Sequence, residues 1–370
     1  MAESSPDEEL RNSVTTSGRD QVPGQNAFTE QNRDSTEASR NRLPPSGGST
    51  IRLSTSAMAC EFSVIMNPGP ASQIDAAGEV LECVHEIESW LSVYRSKSEL
   101  SIVNERAGRE QIPVSDRLFA LLRSAMETWK ITGGGFDMAT GSLIQLWRRC
   151  RKEERIPTPD EIELARARSG SDHVELDEAK QTIRFQVEGL SLDPGAIGKG
   201  YALDECASWM NRVSGAPQEF LLHGGHSSLL ARGTHNGLPG WPVGIGNPLF
   251  TERRLGTILL QDQAMATSGS NIQFFRYEGR RYGHILDPGT GWPVDGMLSV
   301  TAIAHSAALA DAVSTAFFVL GIEKARQCCE NLPGIGVILI PFPSDGKRVC
   351  PTVIGIPESR IFWDFDQVTL

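Results

Sequence analysis

Apolar residues at Ile74, Ala77, Leu81, Val84, Ile87 and Leu91 recur every three or four positions, a spacing that predicts one amphipathic helix. A second starts at a Ser115 cap and repeats at Leu118, Leu122, Ala125 and Trp129. Thr158-Pro-Asp-Glu161 opens a third, with a cap residue, Pro at the first helical position and Glu where a capping box needs it. Residues 62–66 have strand character, and 173–176 with 182–187 predict a hairpin. A helix past Gly200 extends to about Val213, with Gly215 as its stop. Short strands and Gly/Pro turns fill 218–305, and a helix at 308–320 and a strand at 336–340 complete the pattern. Helices first, many short strands later and no regular βαβ alternation predict an α+β fold, with a mixed or antiparallel sheet and packed helices.

The first 50 residues break this pattern. They hold nine hydrophobic residues: Met1, Ala2, Leu10, Val14, Val22, Ala27, Phe28, Ala38 and Leu43. Such a segment cannot bury enough apolar surface to offset its ordering entropy. Residues 1–48 are therefore expected to be a disordered tail ahead of a domain spanning 49–370. The formal net charge of -11 argues against a general nucleic-acid binder, though not against a phosphate-bearing ligand held at a locally positive site. No apolar run is long enough to span a membrane. The start MAESSPDEEL lacks a secretory signal, and the seven Cys form no C-x-x-C pair, so a reducing cytoplasm is the expected compartment.

Several short blocks carry chemistry. Leu192-Asp-Pro-Gly-Ala-Ile-Gly-Lys-Gly-Tyr201 places three glycines and Lys199 between a strand and a helix. A helix N-terminus supplies unpaired N–H groups for phosphate, and Lys199 adds a charge. The spacing is not that of a P-loop, and a tight turn with a surface Lys reads equally well. In the helix at 308–320, Leu309, Val313, Ala316, Phe317 and Leu320 form one stripe, with Asp311 and Thr315 together on the opposite side. Asp311 is the one charged residue in 299–322. A buried carboxylate needs a cation or hydrogen-bond donors. A carboxylate with a hydroxyl suits Mg²⁺, and backbone N–H donors are the other solution. His284, in Tyr282-Gly-His-Ile-Leu-Asp-Pro-Gly-Thr-Gly291, can serve as a base near neutral pH or simply support the turn. Gly133-Gly-Gly-Phe-Asp137 reads alone as a glycine-rich turn.

Taken in order, these blocks resemble the FAD:protein FMN transferase (ApbE-type) family over about residues 53–340. The resemblance rests on Met58-Ala-Cys-Glu-Phe62; on Trp90-Leu-Ser-Val-Tyr94 followed by Ser98-Glu-Leu-Ser101 and Asn104; and on Gly135-Phe-Asp137 with Gly141. It also rests on Asp193 to Asp204, Ala266-Thr-Ser-Gly269, His284 to Pro293, and Ala310-Asp-Ala-Val-Ser-Thr315. It implies a single ApbE-like domain and a set of roles. Tyr94 would stack on or border the isoalloxazine. Met58, Asp193 and the backbone of Gly135, Phe136 and Asp137 would line the FAD site, and Lys199 would meet the dinucleotide. The Ala196 carbonyl, Asp311 and Thr315, with help from Ser314, would bind Mg²⁺ against the pyrophosphate. His284 would assist attack by a Ser or Thr hydroxyl of an acceptor flavoprotein, which takes FMN through a phosphoester as AMP leaves.

Three departures from the family pattern stand out. Gly289 replaces a common Arg, Ala59-Cys60 replaces Gly-Thr, and His226-Ser227-Ser228 follows Gly224-Gly225 where Asp is common. The missing charge at Gly289 gives some weight to an FAD pyrophosphatase, in which water replaces the acceptor. A flavin-binding protein without turnover is the third reading.

Overall fold

The computed structural model describes residues 48–270, 274–343 and 349–364. The tail expected over 1–48 lies, but for Gly48, outside the described residues. Seven helices occur among those described: α1 (Ala71–Leu91), α2 (Glu99–Arg106), α3 (Asp116–Ile131), α4 (Gly141–Lys152), α5 (Pro159–Arg166), α6 (Gly198–Met210) and α7 (Ala307–Asn331). The predicted caps form. The Ser115 hydroxyl accepts from the Leu118 N–H, and Thr158 with Glu161 closes a capping box. α6 starts at Gly198 rather than past Gly200 and ends at Met210 rather than near Val213, so Lys199 and Gly200 lie inside its first turn. α7 is interrupted at Gly321, whose φ of 76° no helix accommodates; the predicted helix ends one residue before that break.

Eight strands form one sheet. Their spatial order is Ile51–Ala57, Cys60–Met66, Phe220–Gly224, Ser228–Arg232, Ala264–Gly269, Met297–Ala304, Gly336–Pro341 and Thr352–Ile354, and every neighbouring pair is antiparallel. α1, α6 and α7 contribute to the larger core, on one sheet face, with Val300, Ala302 and Ala304 pointing into it. On the opposite face Leu298 and Ile303 meet a three-stranded sheet of Trp241–Gly246, Arg254–Leu260 and Ile361–Trp363. Met297 and Val300 both face the helices although three positions apart, because a bulge between Met297 and Ser299 shifts the period-2 alternation.

A smaller cluster determines where His284 sits. α4 and α5 bury Leu143, Leu146, Trp147 and Ile162 against Tyr282 of a two-stranded hairpin, Phe274–Tyr277 with Arg280–Gly283. Trp147 lies 5.8 Å from Tyr282 and 5.4 Å from Trp292, centroid to centroid. Aromatic packing at such distances adds about 0.5–1.5 kcal/mol per pair beyond area burial, enough to fix the hairpin on the helices.

Candidate active site

The first turn of α6 and the N-terminal part of α7 meet at Asp311. Their approach requires Gly200, since a Cβ there would lie 2.1 Å from the Ala307 carbonyl oxygen. Asp311 is 5% exposed. The Gly200 N–H donates to its Oδ2 at 2.7 Å, and the Ser228 hydroxyl donates to Oδ1 at 2.6 Å. Donors therefore compensate the buried carboxylate, the solution left open beside a cation. Each oxygen still keeps acceptor capacity.

One turn further along α7, the Ser268 hydroxyl lies 2.9 Å from Ser314 Oγ and 3.0 Å from Thr315 Oγ1. Ser314 also donates to the Asp311 carbonyl at 2.9 Å. Among the described residues no group of three His, Cys, Asp or Glu side chains could hold a metal. The donor set is one carboxylate with neutral hydroxyls. It fits a hard cation that takes part of its coordination from a ligand's phosphates, as Mg²⁺ does. Ala196, partly buried, lies on the turn leading into α6. Lys199 follows it and has no carboxylate ion-pair partner among the described residues.

Met58 and Ala59 turn the first hairpin with φ of 51° and 58°. The Met58 N–H donates to Glu88 Oε1 at 2.8 Å, and Arg95 holds the other Glu88 oxygen at 2.5 Å. A Cβ on Gly198 would come within 3.4 Å of Met58 Cε, so the hairpin tip rests on the α6 turn. Cys60 shares this neighbourhood. Burial pushes its thiol up, Lys199 opposes the rise, and Asp311 and Glu88 reinforce it.

Tyr94 is 76% exposed. The Arg148 guanidinium lies 5.3 Å from its ring centroid and 3.4 Å from Asp193 Oδ2. Asp193 in turn accepts the Gly195 N–H at 2.9 Å, tying this aromatic edge to the α6 turn. Gly135 lies against α7, where its Cβ would meet Leu320. Phe136 is buried in the core. Asp137 is spent on the Ala139 N–H at 2.7 Å and on Ser171 at 2.6 and 3.0 Å. Burial pushes its carboxyl up, against those bonds. This loop therefore offers a ligand main chain rather than side chains.

His284 is exposed at the end of the hairpin. The turn after it is held by Asp287, which accepts from the Gly289 N–H at 2.8 Å and from the Thr290 hydroxyl at 3.1 Å.

The ApbE family model matches residues 50–339. The chain belongs to the ApbE family. It is 30% identical to a FAD:protein FMN transferase of Klebsiella pneumoniae over 71% of this chain and 81% of that one. It is 31% identical to one of Treponema pallidum, over 77% and 82%. Among solved structures it resembles an ApbE protein of Thermotoga maritima, with a TM-score of 0.72 and 28% identity over 79% of this chain and 94% of that one. It also resembles the flavin transferase ApbE of Vibrio cholerae, with a TM-score of 0.71 and 26% identity over 84% and 97%.

Within this ApbE fold the structure brings Met58, Asp193, Lys199, Asp311, Ser314 and Thr315 to the α6–α7 junction. Tyr94 joins them through Arg148 and Asp193, and His284 stands on the α4-docked hairpin. Sequence reasoning missed Ser228 and Ser268 as members of the Asp311 cluster, and Glu88 and Arg148 as supports. Ser228 carries no local signal, because 83 residues separate it from Asp311 and strand pairing alone unites them.

Proposed function

We propose that this protein transfers FMN from FAD to a Ser or Thr hydroxyl of an acceptor flavoprotein, in a Mg²⁺-dependent reaction. The hydroxyl oxygen forms a new bond to the FMN-side phosphorus. The pyrophosphate P–O bond breaks, AMP leaves with the electron pair, and His284 takes the hydroxyl proton. A serine or threonine hydroxyl is a weak nucleophile, and a positioned base contributes roughly 10²–10⁴-fold. Lys199 and the N–H groups at the start of α6 offset pyrophosphate charge. Asp311, Ser314, Thr315 and the Ala196 carbonyl are the groups that would hold Mg²⁺, which supplies charge neutralisation at the phosphates. Tyr94, exposed and backed by Arg148, offers the flavin ring a stacking face.

The observation that carries this reading is the Gly200–Asp311 hydrogen bond at 2.7 Å. It joins the phosphate-type turn to the carboxylate and hydroxyl cluster within one site. Exposed Gly289, which adds no cation beside His284, favours FAD hydrolysis as the second reading. Incubation with FAD and Mg²⁺ alongside a host lysate separates the two. AMP with a covalently fluorescent protein supports transfer. AMP with free FMN supports hydrolysis, and neither product refutes both.

A further inference from the structure

In the hairpin that precedes His284, Arg276 and Arg281 are directly opposite cross-strand partners. Like charges in that position destabilise a hairpin. The arrangement persists although the protein as a whole is acidic. Both guanidiniums converge on one ring: Arg281 lies 3.8 Å and Arg276 5.9 Å from the Phe274 centroid. Arg281 also donates to the Ser270 carbonyl, two residues beyond Ser268 of the hydroxyl cluster. Neither arginine has a carboxylate partner among the described residues. Burial, and then the facing Arg276, push the Arg281 guanidinium below its ordinary value. The opposite hairpin face is docked through Phe275 and Tyr282 onto Trp147 of α4, a helix whose last turn carries Arg149, Arg151 and Lys152. The arginine pair thus lies on the hairpin face turned away from α4, on the hairpin whose second strand ends one residue before His284.

We propose that the Arg276–Arg281 pair is an anion subsite that receives a carboxylate side chain of the acceptor protein, beside the hydroxyl to be modified. This rests on the transferase reading above. Two guanidiniums held on an aromatic ring are pre-organised to fork onto a carboxylate, and an anion there relieves their repulsion. An acceptor segment with Asp or Glu flanking its Ser or Thr would be steered to the site.

The test is equilibrium binding of a fluorescein-labelled Thr peptide flanked by Asp and Glu, and of its Asn/Gln counterpart, to the full chain without FAD. Wild type is expected to prefer the acidic peptide, with affinity falling as salt rises. Arg276→Gln/Arg281→Gln should weaken it by on the order of 10-fold or more, the scale of losing charge-assisted contacts. Arg276→Lys/Arg281→Lys should retain most of the binding, as should the equal charge change Arg106→Gln/Arg109→Gln. FAD affinity should be the same in all four proteins. Equal binding of the two peptides, or of wild type and the glutamine variant, overturns the proposal. So does a parallel loss of FAD affinity, which would assign the pair to the pyrophosphate. FMN transfer is measured separately on the same samples. Charge-dependent binding without transfer upholds the subsite and counts against the transferase reading alone.

Discussion

Replacing Asp311 separates its structural work from its chemistry. The carboxylate accepts from the Gly200 N–H at 2.7 Å and from the Ser228 hydroxyl at 2.6 Å, bridging α6, α7 and the sheet. In Asp311→Ala both donors lose their acceptor. A buried group left without one costs about 1–3 kcal/mol. Ser228 can turn toward Ser227, 3.2 Å away, so its share lies at the low end. The sum is about 2–4 kcal/mol. At roughly 2–4 °C per kcal/mol for a domain approaching this size, the melting temperature should fall by several degrees. Asp311→Asn is the sharper probe. Its amide oxygen can accept from Gly200 and its NH₂ can donate to Ser228, so the bridge survives without the charge. The asparagine variant should melt within about 1 kcal/mol of wild type. It should also lose Mg²⁺-stimulated AMP release by two orders of magnitude or more if the carboxylate holds the metal. Thermal melts and AMP release across a Mg²⁺ titration, on the same preparations, decide the matter. A wild-type Mg²⁺ response in Asp311→Asn would refute the metal role. An unshifted melt in Asp311→Ala would refute the bridge.

His284→Ala should lower FMN transfer by about 10²–10⁴-fold. FAD affinity should be unchanged, because Asp287 holds the following turn; joint loss of both in a paired titration and labelling assay would show His284 to be structural instead. Ala59 sits at φ 58° in a turn that favours glycine, so Ala59→Gly should stabilise the protein by about 0.5–1 kcal/mol in urea unfolding, and a loss of stability would contradict the strain assigned there. His223 has a buried Nε2 without a hydrogen-bond partner among the described residues and is pushed down to about 4, by burial first and then by Arg52 and His226. The unfolded state then binds the proton more tightly, so stability present above pH 6.5 is lost as pH falls toward 4, up to about 3 kcal/mol. His223→Leu should flatten the melting-temperature profile over that window, and an unchanged slope would mean that another group titrates there.

What was legible in the sequence followed its local patterns. The 3–4 spacing from Ile74 to Leu91 became α1, and Thr158 with Glu161 closed the predicted capping box. Two further signals of the same kind were present. Leu143, Leu146, Trp147 and Cys150 keep the spacing of one helix face and form the buried side of α4. Ile51, Leu53 and Thr55 alternate with Arg52, Ser54 and Ser56 along the first strand, but a run so short and polar gives weak contrast. The identity of the Asp311 cluster was legible only in part. Asp311, Ser314 and Thr315 lie on one helix, so local spacing groups them.

The partners of that cluster come from elsewhere in the chain. Gly200 is 111 residues away in sequence and Ser228 is 83. Neither contact follows from any window of the chain. Each depends on α6 lying against α7 and on the strand Ser228–Arg232 pairing with Ala264–Gly269. The same distinction explains why the charge on Asp311 looked unsupported in the sequence and is supported in the fold. A carboxylate in an uncharged helix implies a compensating group but cannot name it. The compensating N–H belongs to the turn that carries Lys199. Removal of the Asp311 side chain should therefore disturb the phosphate turn as well as the cation site, whereas Asp311→Asn should spare the turn. FAD affinity measured without Mg²⁺ distinguishes these effects. It should fall in Asp311→Ala and hold in Asp311→Asn, and equal affinity in the two variants would mean that the Gly200 bond does not shape the dinucleotide site.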